Sequence, residues 1–290
     1  MVDSWEVSQL NCAPDVSLVV ATFNRSRELE SLLESLLLQT FKNFEVIIID
    51  QSEDDLTKTV VEVYKGQLRL LYHHNPERGL SKARNIGISL SQGRILAFPD
   101  DDCVYYPDTI EKAIEAFNRN PRAAIILGRI CDCRGNNLIR PWPRKEVRLT
   151  QYNFYWLYSS VTIFSSLRSL FDESLGLGTK FGSNEDADYI YRHLRSYLCL
   201  YTPSVRIFHS PLSTKEMPET KAFLYGLGFG AFCCKNWDLP IALLYCTSLL
   251  YHSLNLLKAG VRLNVEEARK FKAALWGRLL GLFQYASTKK

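Results

Sequence analysis

Three consecutive aspartates, Asp100-Asp101-Asp102, follow a short apolar run at residues 94–98. Carboxylates this close repel unless a cation compensates them. Hard divalent ions such as Mg²⁺ or Mn²⁺ prefer carboxylate oxygens and keep water and phosphate as their remaining ligands. One reading is a metal that bridges the protein to a diphosphate. The other is a solvated acidic turn capping the helix that begins at Pro107. A second acidic group, Ser183-Asn184-Glu185-Asp186-Ala187-Asp188, opens a helix. Acids in a first turn are stabilised by the backbone dipole, so capping accounts for them. The functional alternative, which the segment alone favours less, is a general base that takes the proton of a reacting hydroxyl. His209 ends another apolar run, residues 205–208, and fits a structural role or a metal ligand. His73 and His74 read as surface residues. The aromatic run at 152–158 suits core packing or stacking on a sugar ring.

The elements that must position these groups alternate along the first half. Residues 16–21, 44–50, 68–72, 94–98 and 123–127 are short, apolar and β-branched, the pattern of strands buried on both faces. Between them, residues 27–39 carry Leu29, Leu32, Leu33, Leu36 and Leu37 at helical spacing. Residues 55–64, 79–91 and 107–119 also read as helices, the last with Pro near its first turn. Repeated β-α units predict a mostly parallel sheet covered by helices, with ligands outside the carboxyl ends of the strands. Thr22-Phe23-Asn24-Arg25, Asp50-Gln51-Ser52 and Asp100-Asp101-Asp102 all fall just past such ends.

Composition narrows the classes. A net charge of +4 over 290 residues is too small to make nucleic acid the main partner. The eight cysteines show no paired metal-ligand spacing and are too sparse for a disulfide scaffold, so free thiols in a reducing compartment are expected. Residues 1–11 show no basic segment followed by an apolar run, hence no signal peptide is expected. No GxGxxG follows the first strand, which argues against a dehydrogenase.

Taken in order, VSLVVATFNRSRELESLLESLLLQT, FEVIIIDQSEDD, NPERGLSKARNIGI, FPDDDCVYYPDTI and FDESLGLGTKFGSNEDADYIYR resemble the motifs of family 2 glycosyltransferases of GT-A fold. The resemblance spans roughly residues 14–215. It implies an α/β, Rossmann-like catalytic domain over 1–215, with a nucleotide-sugar half at about 14–128 and an acceptor half at about 129–215. It also implies a nucleotide-sugar donor, UDP-linked by default, and an inverting displacement. By the same resemblance Thr22, Asn24, Arg25 and Glu28 line the nucleotide site, with Asp50 and Ser52 near base and ribose and Arg84 close to the donor. Asp100 and Asp101 face the donor, and Asp102 is the main ligand of Mn²⁺ or Mg²⁺, joined by Asp100 and His209. Asp186 is the implied base, with Glu185 beside it. Asp50-Gln51 stands where the family usually has an acidic pair. No Arg-Trp pair of the processive synthases occurs, which favours addition of a single sugar. A nucleotidyltransferase and a binding-only protein are the rival readings; the first lacks a Gly- and Lys-rich triphosphate loop near residues 22–28.

The C-terminal region, 216–290, reads as helical, with a boundary near 211–218. Residues 221–290 hold ten Lys/Arg against three Asp/Glu. Residues 239–257 are apolar but interrupted by Thr247, Ser248, His252, Ser253 and Asn255, which favours a buried or interfacial helix over a spanning one. The last helix, from near Asn264, places Phe271, Leu275, Leu279 and Leu282 on one stripe, widened by Trp276 and Leu280, with Arg269, Lys270, Lys272 and Arg278 nearby. Such a helix suits an anionic membrane surface or packing on the rest of the protein. The first option makes a lipid-linked glycan acceptor and a peripheral position on the inner face of the cell membrane natural expectations, with cell-surface polysaccharide as the product.

Overall fold

Val16–Thr22 (β1) and Phe44–Asp50 (β2) are buried along nearly their whole lengths, as an unbroken apolar run requires. The computed structural model describes residues 13–209 and 217–288. The expected leaderless N-terminus (1–11) lies outside these residues, as does most of the 211–218 boundary. Between the two strands runs α1 (Ser26–Leu37), whose Leu29, Leu32, Leu33 and Leu36 are fully buried. Next come α2 (Leu56–Tyr64), β3 (Leu70–His74), α3 (Leu80–Leu90), β4 (Ile95–Ala97), β5 (Cys103–Tyr105), α4 (Thr109–Arg119) and β6 (Ala123–Ile130). The irregular stretch adds β7 (Val147–Arg148), α5 (Phe154–Leu157) and β8 (Ile163–Ser165). Then follow α6 (Glu185–His193) and β9 (Leu198–His209), and last α7 (Glu219–Lys235), α8 (Leu239–Val261) and α9 (Val265–Thr288).

One nine-stranded sheet runs in the order β3-β2-β1-β4-β8-β6-β9-β5, with β7 paired to β9. The strands β3, β2, β1 and β4 are parallel to their neighbours, while β8 enters antiparallel between β4 and β6. Along β2, Val46 and Ile48 join the main core on one face; Ile47 and Ile49 meet Ala83 of α3 on the other. Gly87 lets α3 approach β1, since a Cβ there would stand 2.2 Å from Val19 Cγ1.

Two strands differ from the sequence expectation. The third runs to His74 because its register on β2 pairs Asp50 with His74. Consequently His74 is not partnerless: its Nε2 lies 2.9 Å from the Ser52 carbonyl. The last strand extends over twelve residues rather than the four before His209. Thr202-Pro203-Ser204 reads locally as a break, yet β9 pairs with β6 on both sides of it through a shift in register.

The C-terminal helices differ more. The buried face of α9 is not its leucine stripe but Ala274, Gly277, Gly281 and Tyr285. These small residues meet Gly226 and Gly230 of α7 so closely that a Cβ on Gly281 would stand 2.0 Å from the Leu227 carbonyl. Helix α8 is neither spanned nor enclosed by the protein. Its inner side packs on α9, and Leu239, Leu243, Leu250, Leu254 and Leu257 point outward. It is long and apolar enough to cross a membrane, with 11% of its most apolar stretch buried.

Candidate active site

The parallel strands end at one edge, where the backbone itself joins their polar loops. Gln51 N donates to the Thr22 carbonyl at 2.9 Å, and Ala21 bridges Asp100. A cleft of about 840 Å³ opens there. Thr22, Arg25, Arg84, Asp100, Asp101, Asp102, Glu185, Asp186 and His209 all line it, so β1, α3, the β4–β5 turn, α6 and β9 converge on one space.

Asn24, Glu28, Asp50 and Ser52 do not line it. Asp50 is fully buried and accepts from Ser52 N and from Tyr72 Oη, each at 2.9 Å. Ser52 Oγ in turn accepts from the N–H of Asn24, whose φ of 54° is left-handed. These residues shape the two loops behind the cleft. Glu28 is exposed and lies 3.9 Å from Arg25.

Within the acidic turn the three carboxylates differ in surroundings. Asp101 is buried and accepts from Thr22 Oγ1 (2.9 Å) and Arg25 Nη1 (2.8 Å). Burial pushes its pKa up to about 7 despite both partners. Asp102 faces Arg25 Nη2 at 2.7 Å and His209 Nε2 at 3.1 Å. Burial alone would raise it, but these two groups hold it below the usual carboxylate range. Asp100, Asp102 and His209 bring ligand atoms within 4.8 Å of one another. Two carboxylates and an imidazole form a donor set that Mn²⁺ accepts readily, and Mg²⁺ by its carboxylates. The buried Nδ1 of His209 has no protein partner, which leaves that ring short of one bond. The residues therefore fit a divalent ion.

Arg84 ties this turn to the acid helix. It is 1% exposed and donates Nη2 to Asp100 (2.9 Å) and Nη1 to Glu185 (3.0 Å). Asp186 follows Glu185 but turns into the cleft, accepting among the described residues only from Ala187 N at 2.8 Å. Enclosure and the neighbouring Glu185 charge raise its pKa. The helix carrying both begins at Asn184 in a left-handed conformation, φ 66°. Behind it, buried Asp188 accepts from Arg192, Lys235 and Asn236, which anchors α6 to α7.

Residues 17–175 match the family model for glycosyl transferase family 2. The chain belongs to that family. The chain is 28% identical over 185 residues to an uncharacterized glycosyltransferase of Haemophilus influenzae, covering 62% of each protein. The chain spans 17% and 62% of the length of two curated relatives it matches. Among solved structures it is similar to a Pyrobaculum calidifontis mannosyltransferase in complex with GDP-Man and Mn²⁺. The TM-score is 0.62 at 14% identity, over 97% of this chain and 89% of that one. It is also similar to S. aureus TarS 1–349 in complex with UDP, with a TM-score of 0.58 at 18% identity over 95% of this chain and 90% of that one. The fold is thus GT-A.

Several cleft residues carried no signal in the sequence. Phe23 lies under the Arg78 guanidinium, 4.1 Å from ring centre to carbon. Lys221, Tyr225, Phe229 and Arg278 come from α7 and α9, more than thirty residues after Asp186, and also line the cleft. Of the aromatic run, Phe154 and Leu157 are core, Tyr152 and Trp156 are exposed, and Tyr155 and Tyr158 face the cleft. Only spatial proximity separates these roles, because helical spacing alone does not reveal which element lies opposite.

Proposed function

We propose that this glycosyltransferase is an inverting, metal-dependent enzyme that transfers a single sugar from a nucleoside-diphosphate sugar, UDP-linked in the first instance, to a glycan or lipid-linked glycan hydroxyl. The observation that carries this reading is the contrast between Glu185 and Asp186: one is locked to Arg84, the other is unpaired at the cleft. A carboxylate with a raised pKa and no cationic partner is suited to accept a proton. Asp186 takes the proton of the acceptor hydroxyl, and that oxygen attacks the anomeric carbon from the face opposite the diphosphate. The bond from that carbon to the diphosphate oxygen breaks, and the nucleoside diphosphate leaves with its electron pair. Arg84 holds Asp100 and Glu185 in place, and Arg25 steadies Asp101 and Asp102. Asp100, Asp102 and His209 would hold a divalent ion, which would supply charge neutralisation for the departing diphosphate. In this reading Thr22 and Arg25 serve the donor; Asn24, Glu28, Asp50 and Ser52 support its loops from behind.

The outward face of α8 supports a peripheral position on the inner face of a membrane. Lys258, Arg262, Arg269 and Lys272 are exposed around the α8–α9 tip, next to Leu257, Val261 and Leu263. Apolar and basic groups together suit anionic lipid. A second copy of the same face would oppose like charges. The described cysteines are free thiols, which suits a reducing compartment. Polysaccharide assembly at the membrane is the setting this implies.

Thermal stabilisation against UDP, dTDP, GDP, CMP and ATP, each with Mn²⁺ or with EDTA, tests the donor assignment. A Mn²⁺-dependent shift with one nucleoside diphosphate is expected, and Asp102→Ala should lose the Mn²⁺ dependence. A shift unaffected by EDTA would remove the metal from the reading.

A further inference from the structure

On the donor side of the cleft every arginine meets a carboxylate: Arg25 with Asp101 and Asp102, Arg78 with Glu53, Arg84 with Asp100 and Glu185. On the acceptor side two arginines do not. Arg278 of α9 is largely enclosed, its guanidinium 5.0 Å from the Phe229 ring centre. Its Nε donates to Ser248 Oγ (2.8 Å) and its Nη1 to the Ala274 carbonyl (2.9 Å), both neutral acceptors. The ionisable groups nearest to it are Tyr155, Cys233 and Tyr245, each pushed upward by burial and therefore neutral at pH 7. Arg140, on the loop after β6, donates Nη1 to the Tyr155 carbonyl at 3.1 Å and lies over the Trp142 ring. It too meets no carboxylate among the described residues.

Both arginines line the same cleft as Asp186 and meet through Tyr155: Arg140 donates to its carbonyl, and the Tyr155 ring packs edge-on against the Phe229 ring beneath Arg278. Tyr155 feels the charges of Arg278 and Asp186, and Tyr158 those of Arg140 and Asp186. Its hydroxyl fixes Tyr155 to Asn184 Oδ1 at 3.1 Å, the residue that starts the acid helix. An enclosed guanidinium without an anion is far costlier than a paired one, and ring contacts offset only part of that cost. Guanidinium forks match phosphate oxygens in pairs.

We propose that Arg140 and Arg278 form an anion subsite that holds a phosphate group of the acceptor while the acceptor hydroxyl lies at Asp186. This rests on Asp186 as the base and on the Thr22–Asp102 side as the donor site. The phosphate belongs either to a lipid carrier or to the glycan itself.

The test uses the full chain saturated with UDP and Mn²⁺, so that the donor-side cations are already engaged. Octyl phosphate, glucose 1-phosphate and octyl glucoside are then titrated by calorimetry. Octyl phosphate is expected to bind and octyl glucoside not. Binding of octyl phosphate alone assigns a lipid phosphate; binding of glucose 1-phosphate as well assigns the phosphate irrespective of its carrier. Arg140→Gln and Arg278→Gln should each weaken the phosphate ligand about tenfold while UDP uptake is unchanged. If Arg278→Gln fails to fold, half-exposed Arg140 decides. The subsite is wrong if the UDP-loaded chain takes neither phosphate compound, or if the folded variants bind them as tightly as the natural chain. A chain that takes up no UDP overturns the donor assignment first, and the subsite with it.

Discussion

Arg84 donates to Glu185 and Asp100, and among the described residues no cation is hydrogen-bonded to Asp186. Burial raises the pKa of both adjacent acids, and a hydrogen bond from Arg84 opposes that rise at Glu185 alone. The raised pKa of Asp186 means its proton leaves at higher pH than for an ordinary carboxylate near ~4. A base must be ionised, so kcat/KM should rise with pH through a limb above that value and fall about tenfold per unit below it. Asp186→Asn should lower kcat by roughly 10²–10⁴ and keep the UDP-dependent thermal shift; loss of that shift would reassign the residue to the donor. Removing Arg84 leaves Glu185 as a buried charge without compensation. Arg84→Met should cost about 3 kcal/mol in urea unfolding at neutral pH. The deficit should shrink in acid, because protonating Glu185 removes the charge that Arg84 had balanced. The acids themselves were legible from their positions past strand ends and at a helix start. Which of them pairs with a cation was not, since that depends on a guanidinium 101 residues away in the chain.

At the scale of elements, α7 and α9 pack backbone to backbone. Gly226 and Gly230 on one helix, and Gly277 and Gly281 on the other, remove every side chain from the contact line. Gly281→Val would drive a methyl group into the Leu227 carbonyl, and an overpacked contact of this kind costs about 1–3 kcal/mol. Limited proteolysis should then release the C-terminal helices earlier than in the natural chain, while cleavage within residues 13–209 keeps its rate. A leucine stripe with basic neighbours was visible in α9. That the small residues line α7, while Phe271 turns to α8 and Leu282 packs against the main core, follows from the neighbouring helices, which periodicity in one helix does not encode.

At the scale of the molecule, α8 forms the outer layer and presents its apolar side to solvent. In liposome flotation the full chain should rise with vesicles containing anionic lipid and remain at the bottom with neutral ones. Replacing Leu243, Leu250, Leu254 and Leu257 by Ser should abolish flotation and leave the UDP shift intact. Flotation that is equal with neutral vesicles would remove the basic tip from the account. The sequence by itself determined the parallel core, the order of its β-α units and the acids at their ends, because burial on both faces writes itself into short apolar runs. Tertiary structure alone decided the antiparallel entry of β8, the full length of β9 and the wall that α7 and α9 add to the cleft. Those outcomes rest on contacts between segments far apart in the chain, and local propensity carries no record of which distant surface a segment will meet.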